Sequence, residues 1–480
     1  MPDYDLREFI ARLEAEGELR RVKVEVDWNL EAGAIAQRGQ DLRAPAPLFE
    51  KIKGYPEGFR LFGNALGPTT PVIQGRVALA LDMPKDTPTA EIIEEYSRRI
   101  EKPVKPVKTD KAPCKDNILT GDDVDVLKFP VPLLHAVDGG RFLGTWHIDV
   151  TKDPDSGWVN WGTYRHMVHD EKTLGFLAHP MQHGPRIFYE KYESIGKPMP
   201  MAIAVGVDPA CNIAAGGQFP AYVDEADMAG ALRRQPVELV GCETCDLEVP
   251  ANAELIFEGE VVSERKLEGP FAEFTGYSAG TGTMSPVFKV KCITYRDSPI
   301  FSFSCPGKPW ASSGVLTSIQ QSSLIAGVLR KAGVPFKSVY VLPHNLAVVV
   351  SAKPTYPGFG HTLVSAIWGS KPGILRPYII LVGEDVDVTN ADDVLWCLTT
   401  RLHPEHGIHV QKGTSSIALW PFITPEEREK HKGARVFFDA NFPPEWPADQ
   451  IPTVISFESA WPEEIKQKVI NRWQEYGYNP

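Results

Sequence analysis

No run of apolar residues in this 480-residue chain is long enough to cross a bilayer. The start, MPDYDLREFI, lacks the apolar core of a signal peptide. The expectation is a soluble, cytoplasmic protein. No lysine- or arginine-rich block interrupts a net charge of −12, which disfavours nucleic acid as a partner. Cysteine is sparse: seven residues, odd in number and dispersed, which argues against a disulfide framework. One Cys-x-x-Cys is present, Cys242 to Cys245 in CETC, with no second pair. A four-ligand zinc site needs more, so the two read as ordinary buried or half-buried cysteines. Phosphate and acyl-transfer fingerprints are missing too. There is no Walker loop and no G-x-S-x-G elbow, and GFGHTL at Gly358 falls short of the dinucleotide pattern.

What is there can build large cores: 43% of residues are hydrophobic, and the length suggests two to four domains. Leu6, Phe9, Ile10 and Leu13 follow a helical spacing that Gly17 can end. TAEIIEEYSRRIEK is a second helix. The proline- and lysine-rich stretch Lys102–Asp116 reads as a connector and sets a boundary. From Asn117 to Pro306 short apolar runs dominate, among them TWHIDVT, PMAIAVGV, AELIFEGEVV and PVFKVKCITY, which predicts a β-barrel or sandwich. ITYRDSPIFSF looks like a hairpin about Arg296–Pro299. SSGVLTSIQQSSLIAGVLRKAG predicts a long helix capped by Ser312 or Ser313 and stopped at Gly333. Strand-like and helix-like runs then alternate, the sign of an α/β layer. HPEHGIHV, with His403, His406 and His409, reads as a loop. The tail is an amphipathic helix with Ile465, Val469, Ile470 and Trp473. It docks on its own domain or on a partner subunit, and the sequence does not choose.

One stretch poses a chemical question. LEGPFAEFTGY sets Glu268 and Glu273 around Gly269, Pro270 and Phe271. Gly269 and Gly276 permit close backbone approach, while Phe271, Phe274 and Tyr277 would exclude water. A carboxyl in such surroundings resists ionisation and can donate a proton near neutral pH. Taken alone, the stretch is equally a surface turn with two solvated glutamates. The densest polar residues lie upstream: Asn160, Arg165, His166, His169, Gln182, His183, Asp224, Glu225 and Asp227. Asn oxygen, imidazole and carboxylate suit a divalent cation such as Mn²⁺ or Mg²⁺. The alternative is a turn asparagine, a satisfied histidine and a helix-starting glutamate. Arg165 could grip a carboxylate in bidentate fashion, or be an ordinary surface arginine.

Several of these segments together carry a resemblance. FPVPLLHAVDGGRFLGTWHI, NWGTYRHMVHD, PMQH, DEADMAGALRRQPVELV, VPANAELIFEGE, EGPFAEFTGY and LVGEDVDVTNADDVLWCLTTR make the chain similar to the UbiD family of decarboxylases over essentially its full length. That family uses prenylated FMN. The likeness is greatest to the branch of the ferulic acid and pyrrole-carboxylate decarboxylases.

The resemblance implies a multidomain α+β and α/β fold. A split β-barrel flavin domain (117–310) would lie between an N-terminal α/β region (1–116) and a C-terminal α/β oligomerisation domain (311–454), with a terminal helix over 455–480. It implies catalytic Arg165, Glu268 and Glu273. Asn160, His183 and Glu225 stand at Mn²⁺ positions, and Lys371 where a lysine meets the cofactor phosphate. Gln182, Trp161 and Arg165 also stand at cofactor positions. The carbonyls of Trp161, Ala215 and Gly217, with Glu225, stand at a K⁺ site, although AAGGQFP departs from a serine- and methionine-bearing segment in relatives. Thr317, Ile417 and Leu419 align with substrate-pocket positions. Implied partners are a carboxylic acid, CO₂, a flavin prenyltransferase as cofactor supplier, and further copies of the chain in a homo-oligomer, dimer or hexamer. On this reading Glu268 holds Arg165 against the substrate, and Glu273 delivers the proton that replaces CO₂. Alternatives are a split-barrel flavin reductase, which would not need the three residues together, and a flavin-binding protein without catalysis.

Overall fold

The computed structural model describes residues 5–279, 281–308 and 310–478. The first four and last two residues of the predicted terminal segments lie outside the described residues. Helix Leu6–Ala15 buries Leu6, Phe9, Ile10 and Leu13, as their spacing predicts. Asp5 caps it, accepting the Glu8 N–H at 2.8 Å. The chain leaves through Gly17 at a φ of 74°.

Four strands follow in one sheet, ordered Leu19–Val26, Ala46–Ile52, Arg60–Gly63 and Ile300–Phe303. The last of these corrects the expected hairpin. Ile300–Phe303 does not fold back on the strand before it; it pairs in parallel with Arg60–Gly63. All four of its residues are buried. A short continuous apolar run is the signature of a strand covered on both faces, and PIFSF reads that way. The connector is also more than a linker: Val107–Lys108 pairs in parallel with Glu238–Gly241.

The central segment forms an eight-stranded antiparallel sheet. Its order is Val159–Gly162, His147–Lys152, Met199–Val205, Leu255–Glu268, Thr283–Tyr295, Thr173–Gly175 and Val168–Asp170, with Asn117–Thr120 also on Thr283–Tyr295. Leu255–Glu268 and Thr283–Tyr295 are the long strands, paired from Leu255 opposite Tyr295 to Glu268 opposite Thr283 with register shifts after Glu258 and Val262. That pairing carries Glu268 to the very end of a ladder and starts the turn toward Glu273.

Helix Ser312–Lys331 begins the third layer. Neither serine caps it. Ala311 stands at the N-cap, and the Ser312 N–H and hydroxyl face Gln40 Oε1 at 2.9 and 3.4 Å. A buried glutamine from the N-terminal layer thus satisfies the helix start. Gly333, at a φ of 67°, ends it. Beyond lies a five-stranded sheet, Ser338–Val341, Ala347–Ser351, Tyr378–Val382, Lys432–Ala440 and Ile408–Ser415, with helices Phe359–Trp368 and Ala391–Thr400. The expected histidine loop is a turn only as far as Gly407; His409 is already in the edge strand. Helix Glu463–Asn471 buries none of its residues, and Ile470 and Trp473 are 53% and 40% exposed. No helix among the described residues is long and apolar enough to cross a membrane.

Candidate active site

Arg165 lies in the bend between Val159–Gly162 and Val168–Asp170. Its two neighbours are tied to one buried carboxylate. Asp149 accepts the Tyr164 N–H at 2.7 Å and meets His166 Nε2 at 2.7 Å and His147 Nε2 at 3.0 Å. His166 Nδ1 faces the Gly175 carbonyl at 2.8 Å. Burial opposes ionisation of Asp149, but the two imidazoles outweigh it and hold the carboxyl below its usual range. This support was visible in part: His147 and Asp149 alternate on one strand, so they share a face. That His166 would meet them from the loop after Val159–Gly162 was not.

The guanidinium of Arg165 then addresses two acids. It makes a fork to Glu268, Nε to Oε1 at 2.8 Å and Nη2 to Oε2 at 2.7 Å, and its Nη1 bonds Glu273. Phe271 packs under the guanidinium at 5.1 Å, and Phe142 lies 4.4 Å from Phe271. The turn is shaped by glycine. Gly269 has a φ of 89°, and a Cβ there would stand 3.1 Å from Arg165 Nη2. Tyr277, expected to exclude water, is 63% exposed; only its carbonyl takes part, accepting the Glu273 N–H at 2.9 Å.

One arginine facing two acids leaves a surplus negative charge in a buried place. Burial pushes the Glu273 carboxyl up, against the pull of Arg165 and with the repulsion of Glu268. Glu268 has the bidentate hold, and Glu273 is the acid whose carboxyl its surroundings push toward the protonated form. The two solvated glutamates of the bland reading are not found: Glu268 is 0% and Glu273 9% exposed.

A second support was missed in the sequence. Asp138 Oδ1 accepts the Ala272 N–H at 2.9 Å, and Oδ2 meets the His135 N–H at 3.0 Å and its Nδ1 at 3.1 Å. The Gly139 N–H reaches the Pro270 carbonyl at 2.8 Å, where a Cβ on Gly139 would collide with the Gly269 carbonyl at 2.2 Å. The HAVDGG segment therefore pins the turn between the two glutamates. Asp-Gly-Gly alone signals a turn, not what the turn holds.

The mixed N/O set also converges. Glu225 begins helix Glu225–Arg233, and its carboxylate accepts Trp161 N–H at 2.8 Å and Asn160 Nδ2 at 3.2 Å. Both donors are neutral, and burial pushes the carboxyl up to about 8. Asn160 Oδ1 accepts the Tyr164 hydroxyl at 3.1 Å. His183 Nε2 faces Lys371 Nζ at 3.0 Å, and Lys371 also donates to the Phe219 carbonyl at 2.8 Å. Burial, then the Lys371 charge, lowers the imidazole to about 4, so its Nε2 is an acceptor. The Glu225 carboxyl, bonded to the Asn160 amide and within electrostatic reach of Lys371, offers with the neutral His183 imidazole a donor set of the kind that suits a divalent cation, and the Lys371 ammonium suits a phosphate.

Helix Pro209–Ala215 ends at Ala215, where terminal carbonyls outrun the helix's own donors. At Gly217 a Cβ would meet the Phe219 ring at 2.3 Å. Of the other predicted residues, Gln182 is exposed and caps the short helix His183–Ile187 without a side-chain bond. Asp224 caps the next helix instead of joining the cluster, accepting the Ala226 N–H at 2.9 Å. Thr317 bonds its own helix at the Ser313 carbonyl, 2.6 Å away. Ile417 and Leu419 are half-buried in the loop after Ile408–Ser415. A separate cleft of about 440 Å³ beside Trp368, Lys412 and Arg435 contains none of the catalytic candidates.

Comparison with known proteins gives the family. The 3-octaprenyl-4-hydroxybenzoate carboxy-lyase profiles match in order: N-terminal domain at residues 10–96, Rift-related domain at 105–309 and C-terminal domain at 316–440. The chain is 34% identical to pyrrole-2-carboxylic acid decarboxylase of Pseudomonas aeruginosa, over 99% of this chain and 98% of that protein. It is 32% identical to ferulic acid decarboxylase 1 of Saccharomyces cerevisiae, over 99% of each. Among solved structures, the closed form of vanillic acid decarboxylase from Sedimentibacter hydroxybenzoicus superposes with a TM-score of 0.87 at 30% identity, covering 99% of each chain. An evolved dimeric form of the UbiD-class enzyme HmfF from Pelotomaculum thermopropionicum, in complex with prFMN, superposes with a TM-score of 0.78 at 29% identity, covering 94% of this chain and 97% of that one. The chain belongs to the UbiD family, and it is a decarboxylase, a carboxy-lyase, and not a flavin reductase.

Proposed function

We propose that the enzyme removes CO₂ from an aromatic, heteroaromatic or α,β-unsaturated carboxylic acid, with Arg165, Glu268 and Glu273 as the catalytic group. The observation that carries this reading is the one arginine held in a fork by Glu268 with Glu273 on its remaining edge. Arg165 binds the substrate carboxylate on that edge. Glu268 fixes the guanidinium plane, and the buried, protonated Glu273 gives its proton to the carbon that loses CO₂. One proton from solvent then restores Glu273. Pyrrole-2-carboxylic and ferulic acids, in the names of the relatives, both carry the carboxyl on an sp² carbon. Direct loss from such a carbon leaves an unstabilised electron pair, and bound prenylated FMN supplies the electron sink.

Asn160, His183 and Glu225 would hold Mn²⁺, and Lys371 with that cation would neutralise the cofactor phosphate, which carries about two negative charges. Trp161, Gln182 and Arg165 complete the cofactor surroundings. K⁺ would sit on the carbonyls of Trp161, Ala215 and Gly217 with Glu225. Thr317, Ile417 and Leu419 would line the substrate side. The domains are read as 1–116, a split-barrel flavin domain at 117–310, an oligomerisation domain at 311–454 and the tail at 455–480. The uncovered apolar side chains of the tail support docking on a partner subunit, in a dimer or hexamer. The cofactor would arrive finished from a flavin prenyltransferase in the cytoplasm.

The test is CO₂ release from a panel of heteroaromatic and acrylic acids. Protein co-expressed with a flavin prenyltransferase should turn over at least one acid, and protein holding plain FMN none. Equal turnover with plain FMN would overturn the reading.

A further inference from the structure

The CETC stretch lacks a second cysteine pair in sequence, but the fold brings other ligands to it. It forms the link of a hairpin in which Glu238–Gly241 pairs with Glu248–Pro250. Glu258, from near the start of the long strand Leu255–Glu268, reaches into this link and is 0% exposed. Its Oε1 accepts the Glu243 N–H at 2.9 Å; its Oε2 accepts the Thr244 N–H at 2.7 Å and hydroxyl at 2.9 Å. The loop is therefore wrapped around a carboxylate, with a half-buried thiol at each end. The two sulfurs and a Glu258 oxygen all lie within 4.8 Å of one another. A third thiol is close: Cys292 is buried directly opposite Glu258 on the neighbouring strand, so both side chains leave the same face of the sheet.

We propose that Cys242, Cys245 and Glu258 form a binding site for a soft divalent cation of the zinc class, with the fourth position open to water. Tetrahedral zinc with sulfur at about 2.3 Å separates its ligand atoms by roughly 3.5–4 Å, which this cluster can meet with small shifts. On binding, Cys242 and Cys245 give up their thiol protons to solvent and ligate as thiolates. The Glu258 Oε1 accepts only one hydrogen bond from the loop, so a lone pair remains for the cation. The neighbouring Lys115, 2.5 Å from Glu243, offsets the excess negative charge.

The site shares no residue with the nitrogen and oxygen set around Glu225, and Glu258 stands ten positions before Glu268 on a strand that is bulged twice between them. The metal would not touch the chemistry. It would fasten the hairpin to the central sheet.

Full-length protein, reduced, freed of metal by chelation and titrated with Co²⁺, tests this. The expected result is a thiolate-to-cobalt charge-transfer band that saturates at one equivalent. The band should vanish in Cys245→Ser and in Cys242→Ser, and persist in His183→Ala. Zinc should raise the thermal midpoint of the wild type and leave that of Cys245→Ser unchanged. Absence of the band in the wild type, or its survival in Cys245→Ser, overturns the proposal. So does a reduced protein that takes no cobalt but cross-links Cys242 to Cys245 under peroxide, since the pair is then a redox dithiol.

Discussion

Arg165 and Glu268 are joined by two parallel hydrogen bonds, at 2.8 and 2.7 Å, with the carboxylate fully buried. The bidentate geometry fixes the plane of the guanidinium as well as its position. Glu268 also raises the Glu273 carboxyl by repulsion. Removing the charge of Glu268 should therefore act on Glu273. In Glu268→Gln that repulsion is gone, and Glu273 becomes more acidic. Stability should fall by about 3 kcal/mol, the scale of a broken buried ion pair. KM should rise and kcat fall together, and the alkaline limb of activity should move to lower pH. Steady-state kinetics across pH check this. An unmoved limb would mean the two acids are not coupled.

Wild-type activity should have its own signature in pH. Burial raises Glu273, so the proton donor is lost only as pH climbs through a value above the ordinary carboxylate range. Activity should fall over that window and not near the pKa of a free glutamate. The sign for stability is the same. A carboxyl that binds its proton more tightly when folded stabilises the fold at low pH, and that contribution disappears as pH rises through the folded pKa. Denaturation midpoints for wild type and Glu273→Gln should converge at low pH and separate in favour of the variant at high pH.

His183→Ala should remove both Mn²⁺ and flavin. The imidazole stands 3.0 Å from the Lys371 ammonium, so the proposed metal and phosphate groups form one unit. Elemental analysis and flavin absorbance on the purified variant read it directly. Stoichiometric manganese after the substitution would end the assignment.

Asp138→Asn separates positioning from chemistry. Its carboxylate spans the Ala272 amide and His135 and reaches Arg165 through its charge alone. The amide oxygen can serve one of these partners and not both. We expect kcat to fall about tenfold with metal, flavin and KM unchanged, an effect near the 1.4 kcal/mol that one net hydrogen bond provides. Loss of the cofactor in this variant would instead make Asp138 a structural residue of the whole domain.

Much of this arrangement was legible in the sequence because it is local. Helix Leu6–Ala15, the strand Leu255–Glu268 and the Glu268–Glu273 turn follow from periodicity and from glycine and proline chemistry over fewer than fifteen residues. What was not legible depends on contacts distant in sequence. Ile300–Phe303 follows its predecessor by a short turn yet pairs with Arg60–Gly63, since burial on both faces outweighs proximity. Ser312 has the right type for a cap, but Gln40 arrives from another layer and takes its N–H. The same holds at the site. Asn160, His183 and Glu225 could be proposed from ligand type, whereas Asp149 and Asp138, which hold the catalytic segments, show nothing distinctive until the strands are paired.

The central claim is that Glu273 is the acid that replaces CO₂ with a proton. Glutamine has nearly its shape and keeps a hydrogen-bond acceptor for Arg165, but has no acid proton to give. The most direct measurement is CO₂ release by Glu273→Gln beside its flavin and metal occupancy, in protein co-expressed with a flavin prenyltransferase. The account predicts full occupancy with turnover reduced by roughly a hundredfold or more, the scale for losing a general acid. Near-wild-type turnover at full occupancy would contradict it.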